Sequence, residues 1–212
     1  MVLEQIAYKM IAEKFKPSLD KKYIAFNKPY AVLCQFTLPE GSVKKTLAEF
    51  GFPKDVYSVG RLDYDSEGLL LLTDDGRLNS KLLSPQARHQ RTYFVCVENV
   101  PSLEQLRTLR NGVIIEGKRT LAAEAKLLAE EPLLLPRPVP IRERKYIPAA
   151  WIELNLTEGR NRQVRKMTAA VGCPTLRLMR VAIGSLSLFD LGLAPGEWKI
   201  LNESELLSVF LK

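Results

Sequence analysis

Leu69 to Thr73 is an almost unbroken apolar run that ends in the turn signal Asp74-Asp75-Gly76, the pattern of a strand buried on both faces. Trp151 to Leu156 alternates apolar and polar positions instead, which predicts a half-buried strand. Shorter β-type runs are Tyr23 to Phe26, stopped by Asn27-Lys28-Pro29, and Ala31 to Phe36, its expected hairpin partner. Val56 to Val59, Arg91 to Val97, Leu176 to Leu188 and Trp198 to Leu201 read the same way, and Asn111-Gly112 turns the chain into Val113 to Ile115. Helical signals are fewer. They cover a turn near Thr46 to Phe50, Leu78 to Leu83 before Ser84-Pro85, Ser102 to about Arg110, and Ser204 to Leu211. One more helix is predicted between Gly159 and Gly172, where Val164, Met167, Thr168 and Val171 share a face at about 100° per residue. Thr120 to Leu128 fits strand or helix, because its alanines and its alternation disagree, and four prolines make Pro132 to Pro140 a loop. Residues 1–22 read as a tail or peripheral helix, with Ile6, Met10 and Ile11 on one face among lysines. Strands dominate and no βαβ rhythm appears, so the expected class is α+β with a largely antiparallel sheet.

Composition narrows the function classes. Apolar residues are 46% and charged residues 26% of 212, an ordinary globular balance that needs no staple to fold. Cys34, Cys96 and Cys173 are odd in number and far apart, which excludes a disulfide framework and a CxxC zinc site and suggests a reducing compartment. His89 is the only histidine, so a Ser-His-Asp triad and a multi-histidine metal site are excluded. The N-terminus carries Glu4, Glu13 and Asp20 and no apolar run, unlike a secretory or transit segment. No uninterrupted apolar run exceeds five residues, the length of Tyr93 to Val97, so no membrane span is expected and the location is read as cytoplasmic. The net charge of +7 is not spread evenly. Arg137 to Arg180 holds ten basic and three acidic side chains and therefore the whole excess, which points to a polyanionic partner.

Three segments carry candidate chemistry. Gly60-Arg61-Leu62-Asp63-Tyr64-Asp65-Ser66-Glu67-Gly68 is a charged loop between two apolar strands. Its acids, with Asp74, touch the calcium-loop template, but Leu71 falls on a ligand position, Asp74 replaces the bidentate Glu, and the flanks are not helices. Besides a solvated acidic turn, the remaining reading is a loop presenting one carboxylate, Asp63 or Asp65, into a cleft. Glu158 to Gly172 anchors a helix by its apolar stripe and turns Arg162, Arg165 and Lys166 to the other side. A charged helix face is usually only solvated; here no acid alternates after Glu158, and Arg142, Arg144 and Lys145 add charge nearby, which suits phosphate contact. Tyr93 in Arg91-Thr92-Tyr93-Phe94-Val95 is either core or a cleft wall on which an unpaired base stacks.

These segments, with Asn27-Lys28-Pro29 and TLRLMRVAIG (175–184), together resemble the RsuA/RluB/RluE/RluF branch of the pseudouridine synthases. GRLDYDSEGLLLLTDDG is similar to that branch's signature around the catalytic aspartate, RTYFVCV to its tyrosine-bearing strand, EGRNRQVRKM to its third motif and TLRLMRVAIG to its closing strand. The order and spacing agree from about residue 22 to residue 200. IRERKYIPAAW and PTLRLMR look most like the RluE type, which modifies one uridine of large-subunit (23S) ribosomal RNA. The resemblance implies the pseudouridine synthase fold: a mixed, mostly antiparallel bent sheet flanked by helices and loops around a central basic cleft. It further implies a catalytic domain over 23–201, a C-terminal helix or tail over 202–212, and no S4 RNA-binding domain in the 22 residues before it.

By the same resemblance the reaction needs no metal and no cofactor. The N1–C1′ bond breaks, the uracil turns, and C5 joins C1′. The implied catalytic residues are Asp63, Tyr93 and Arg165. Asp63 meets the sugar as nucleophile, base or electrostatic stabiliser, Tyr93 stacks on the flipped base, and Arg165 is the counter-charge of Asp63. Substrate-binding residues would be Arg61, which fills the space the base vacates, Leu178, which packs on the base, and Arg160, Asn161, Arg162 and Lys166, which meet the RNA. The working form is expected to be a monomer whose partner is large-subunit ribosomal RNA.

Overall fold

The computed structural model describes residues 15–38, 40–141 and 146–211. The tail or helix expected over 1–22 lies mostly outside these residues, as do Arg142, Arg144 and Lys145. In chain order the strands are β1 (Tyr23–Lys28), β2 (Val32–Leu33), β3 (Lys45–Thr46), β4 (Tyr57–Ser58), β5 (Glu67–Thr73), β6 (Arg91–Glu98), β7 (Ile114–Ile115), β8 (Lys118–Arg119), β9 (Glu124–Leu127), β10 (Ala149–Leu156), β11 (Thr175–Ile183), β12 (Leu186–Ser187) and β13 (Trp198–Ile200). The α-helices are α1 (Gly76–Leu83), α2 (Leu103–Arg110), α3 (Gln163–Ala170), α4 (Leu188–Leu191) and α5 (Glu203–Ser208).

The main sheet runs β13-β1-β5-β11-β6-β10-β9, with β4 added on β5 and β12 on β11. All its pairs are antiparallel except β5 with β11, which is parallel and short: Met179 opposite Glu67 and Arg180 opposite Gly68. Two antiparallel halves therefore meet at one narrow seam. Gly68 is what lets them meet. Its φ is +103°, and a Cβ there would stand 2.2 Å from the Arg180 carbonyl oxygen, so no side chain fits the seam.

The apolar run of β5 is explained by burial on both faces. Leu70 and Leu72 pack with Ile24, Phe26, Leu47 and Leu62, whereas Leu69 and Leu71 pack on the opposite side with Ala25, Leu78, Met179 and Leu206. Each such leucine stabilises the fold by about 1.5–3 kcal/mol. In the other half, Val95, Val97, Ile152, Leu154 and Leu178 form one face, covered by Leu106 and Leu109 of α2 and by Val164 and Met167 of α3. The α3 stripe is the one its periodicity predicted.

The mixed, mostly antiparallel α+β architecture agrees with the sequence reading, and three local expectations are corrected. Ala31 to Phe36 is not the hairpin partner of β1. After a positive φ at Ala31 the chain leaves the sheet, and β2 pairs in parallel with β3, while both edges of β1 are taken by β5 and β13. Leu176 to Leu188 is not one strand. It reverses at Gly184, where a Cβ would meet the Val209 carbonyl oxygen at 2.1 Å, so β12 folds back on β11 and α4 follows. The loop from Gly60 ends before Glu67, which is already the first residue of β5. The ambiguous Thr120 to Leu128 holds strand β9, with Ala125 buried against β10. Among the described residues no helix is long and apolar enough to cross a membrane.

Candidate active site

A cleft of about 880 Å³ opens over the seam, walled by the 60–66 loop on one side and by β6, β11 and the start of α3 on the other. Asp63, Arg61, Tyr93, Leu178, Arg160, Asn161 and Arg162 all line it. The sheet explains how distant residues meet. Leu178 and Arg180 lie two apart on β11 and share a face, and Arg180 is directly opposite Tyr93 across the β11–β6 pair.

Asp63 is held by its loop rather than by its own side chain. The Asp63 carbonyl accepts from the Ser66 N–H at 3.1 Å, the Tyr64 carbonyl accepts from the Ala31 N–H at 2.9 Å, and the Leu62 N–H reaches the Cys34 sulfur at 3.3 Å. Buried Leu62 anchors the loop in the core, and the Asp63 carboxylate projects into the cleft about one third exposed, at 32%. Its nearest cationic atom is Arg162 Nη1 at 3.5 Å.

The pairing expected between Arg165 and Asp63 is not what the structure shows. Arg165 donates to the Asp65 backbone carbonyl at 2.6 Å and stands 3.3 Å from the Asp65 carboxylate. Arg162 makes two hydrogen bonds to the same carboxylate, at 2.9 and 2.8 Å. The turn closed by Ser66 sends Asp65 toward α3, and residues 162 and 165 are helical neighbours, so both guanidinium groups converge there. Burial opposes charge on Asp65, but the Arg162 hydrogen bonds and the Arg165 and Arg162 charges outweigh it and bring its pKa below the ordinary value. Asp65 was one of two candidates by type and spacing. Its role as the tie between loop and helix was not visible without knowing which arginines arrive.

This tie is open to a direct check. Asp65→Asn should loosen Arg162, leave Arg165 only its main-chain bond to residue 65, and lower the turnover rate about 10–100-fold, the usual cost of losing a partner that orients an active-site group. Because the folded Asp65 pKa is depressed, its stabilising charge is fully present above the unfolded value of about 3.9 and is lost as pH falls through the folded one. The stability gap between wild type and variant, measured by urea unfolding, should therefore be constant at neutral pH and close below about pH 4.

The other basic residues divide. Arg160 is committed to structure, with its guanidinium on the Lys118 and Arg119 carbonyls at 3.3 and 2.7 Å and on Glu158 at 3.2 Å. Lys166 lies outside the cleft lining and pairs with Glu116 at 2.6 Å. Arg177 and Arg180 belong to the basic stretch by sequence, yet both are buried. Arg177 makes two hydrogen bonds to buried Glu67, at 2.9 and 2.8 Å, and a third to the Leu135 carbonyl. With Glu67 on Arg177 and Asp65 on the α3 arginines, the acids of the loop diverge. Among the described residues no group of three or more His, Cys, Asp or Glu could hold a metal ion. Lys28, fully buried, donates to the Pro29 carbonyl at 2.9 Å. Burial draws its pKa down to about 8, against the pull of Cys34, Glu67, Asp65 and Asp63.

Comparison with known proteins yields one family. Residues 22–170 match the family model described as RNA pseudouridylate synthase. The chain is 52% identical over 177 residues to the ribosomal large subunit pseudouridine synthase E of Xanthomonas campestris pv. campestris, covering 84% of this chain and 94% of that one. It is 49% identical over 190 residues to the protein of the same description from Vibrio vulnificus, covering 88% and 79%. A solved structure described as a pseudouridylate synthase superposes with a TM-score of 0.73 at 27% identity, over 91% of this chain and 74% of that chain.

Proposed function

This chain belongs to the RNA pseudouridylate synthase family, and we propose that its target is one uridine of large-subunit ribosomal RNA, which it reaches as a cytoplasmic monomer through the catalytic domain of residues 23–201. It is an isomerase that converts uridine to pseudouridine in ribosomal RNA. The relatives of about half identity that act on the large subunit support the choice of target. The observation that carries the site assignment is the meeting of Asp63, Tyr93 and Leu178, from three distant segments, on one cleft.

In this reading a flipped uridine enters between Tyr93 and Leu178, which offer one aromatic and one aliphatic surface to a planar base. Unstacking it costs a few kcal/mol, which phosphate contacts along the rim offset. Arg61 fills the gap left in the RNA. Asp63 meets C1′ as N1–C1′ breaks, and the loop, not an ion pair, aims it. Arg165 acts on Asp63 at one remove, by fixing the loop through Asp65. Arg162 is the phosphate contact nearest the chemistry. Its pair with Asp65 is 42% and 31% exposed, and a pair this open is worth no more than about 1 kcal/mol, so exchange for a phosphate is cheap. Lys166, through its exposed Glu116 partner, extends the same rim, Asn161 lies within it, and Arg160 holds its backbone.

The test is release of tritium from C5-labelled uridine in protein-free rRNA, joined to a map of pseudouridines in rRNA from cells lacking the gene. The expected result is tritium release and one site missing from the large-subunit map. A pure RNA-binding module would release none, and loss of a small-subunit site would overturn the target.

A further inference from the structure

Arg177 and Arg180 stand three residues apart on β11, are both buried, and are treated oppositely by the fold. Arg177 has a full carboxylate in Glu67. Arg180 is only 4% exposed, and its Nε donates to the Leu69 carbonyl at 2.7 Å. Its Nη2 is buried with no hydrogen-bond partner, and no acidic side chain among the described residues pairs with it. A buried cation without a counter-charge costs several kcal/mol, so a fold that keeps one places it where a partner arrives later. Arg180 lines the cleft. It sits directly across from Tyr93 and two residues from Leu178, on the face that carries both. The floor around it is cationic: Lys28, Arg180 and Arg61 all act on the buried Cys34 thiol that lines the same cleft, although burial still raises that thiol's pKa.

We propose that Arg180 is a catalytic residue that donates a hydrogen bond from the cleft floor to a carbonyl oxygen of the flipped uracil and stabilises the negative charge the base acquires. The proposal rests on the function argued above. When N1–C1′ breaks, the bonding pair stays on the base and spreads over O2 and O4, while Asp63 meets the electron-deficient C1′. C5 then bonds to C1′, the C5 proton leaves to a base, and N1 takes up a proton, so the sum is an isomerisation without oxidant or reductant. A guanidinium without a carboxylate partner, itself only 4% exposed, offers its charge to that transient anion from a buried position, where a preorganised donor is most effective. The surroundings favour a base over a phosphate, because Tyr93 and Leu178 beside Arg180 present flat and apolar surfaces.

The test compares Arg180→Gln and Arg180→Lys with wild type. Arg180→Gln should lose about 10²–10³-fold in single-turnover rate, as when an oxyanion donor is removed, with RNA Kd within about twofold and an unchanged salt slope. On RNA carrying 5-fluorouridine at the target, read by disappearance of the N1-linked nucleoside, fluorine withdraws charge and the base leaves more easily. There the variant's loss should shrink about tenfold, whereas a merely structural defect would slow both RNAs alike. A weaker Kd with a salt slope reduced by about one would identify a phosphate contact and overturn the proposal, and so would full activity in Arg180→Gln. Should Arg180→Gln fail to fold, Arg180→Lys carries the same comparison, with the selective loss on uridine expected and equal loss on both RNAs against it. If wild type itself releases no tritium, the function fails first and separately.

Discussion

Asp63→Asn is expected to lower pseudouridine formation by at least about 10³-fold while leaving the fold in place. The magnitude is typical of removing a group that acts directly on the reacting atoms. Every role open to Asp63 requires a negative oxygen at the sugar, at C1′ as nucleophile or electrostatic partner or at C2′ as base, and the amide supplies none. The fold should survive because the loop is held by main-chain bonds from Ser66 and Ala31 and by buried Leu62, not by the Asp63 carboxylate, whose nearest cation is 3.5 Å away. Melting temperature should change by no more than a few degrees. RNA binding should hold or tighten, since one acidic group leaves a basic cleft. Tritium release and binding on the same rRNA separate these effects, and near-normal yield from the folded variant would remove Asp63 from the chemistry.

The second large effect concerns stability. Glu67 and Arg177 are buried with side-chain exposures of 4% and 7%, and their hydrogen bonds join the first residue of β5 to β11 across the seam. Arg177 also holds the Leu135 carbonyl, tying the proline-rich loop to the same place. Glu67→Gln should cost about 3–5 kcal/mol in urea unfolding, because Arg177 is left buried without its charge partner. The double variant Glu67→Met with Arg177→Met should regain most of that loss, since an apolar pair removes both desolvation penalties together. A cost below about 1 kcal/mol for the single variant would show that water reaches the seam.

The two arginines of β11 show why part of the site was not legible. By composition they belong to the same basic stretch as Arg162, and their place in a β-type run does not tell which of them meets a carboxylate. Only the β5–β11 pairing delivers Glu67 to one and leaves the other bare. Arg165 is a similar case. Its place on the polar side of α3 follows from the helical period, but whether it reaches Asp63 or Asp65 depends on how a loop from 100 residues earlier turns at Ser66. Ala31 to Phe36 failed as a hairpin because a β-type run marks a segment that can extend and does not tell which edge of its neighbour is free.

What the sequence determined by itself is local and compositional: the doubly buried β5, the half-buried β10, the apolar stripe of α3, and the charged loop that offers Asp63 or Asp65. These follow from periodicity and residue type, which act over a few residues. The tertiary structure alone decided the parallel seam at Gly68, the shared hold of Arg162 and Arg165 on Asp65, and the separate fates of Arg177 and Arg180. Each of those is a contact between groups far apart in the chain, and its energy depends on a distance and a burial that exist only after the two halves of the sheet have met.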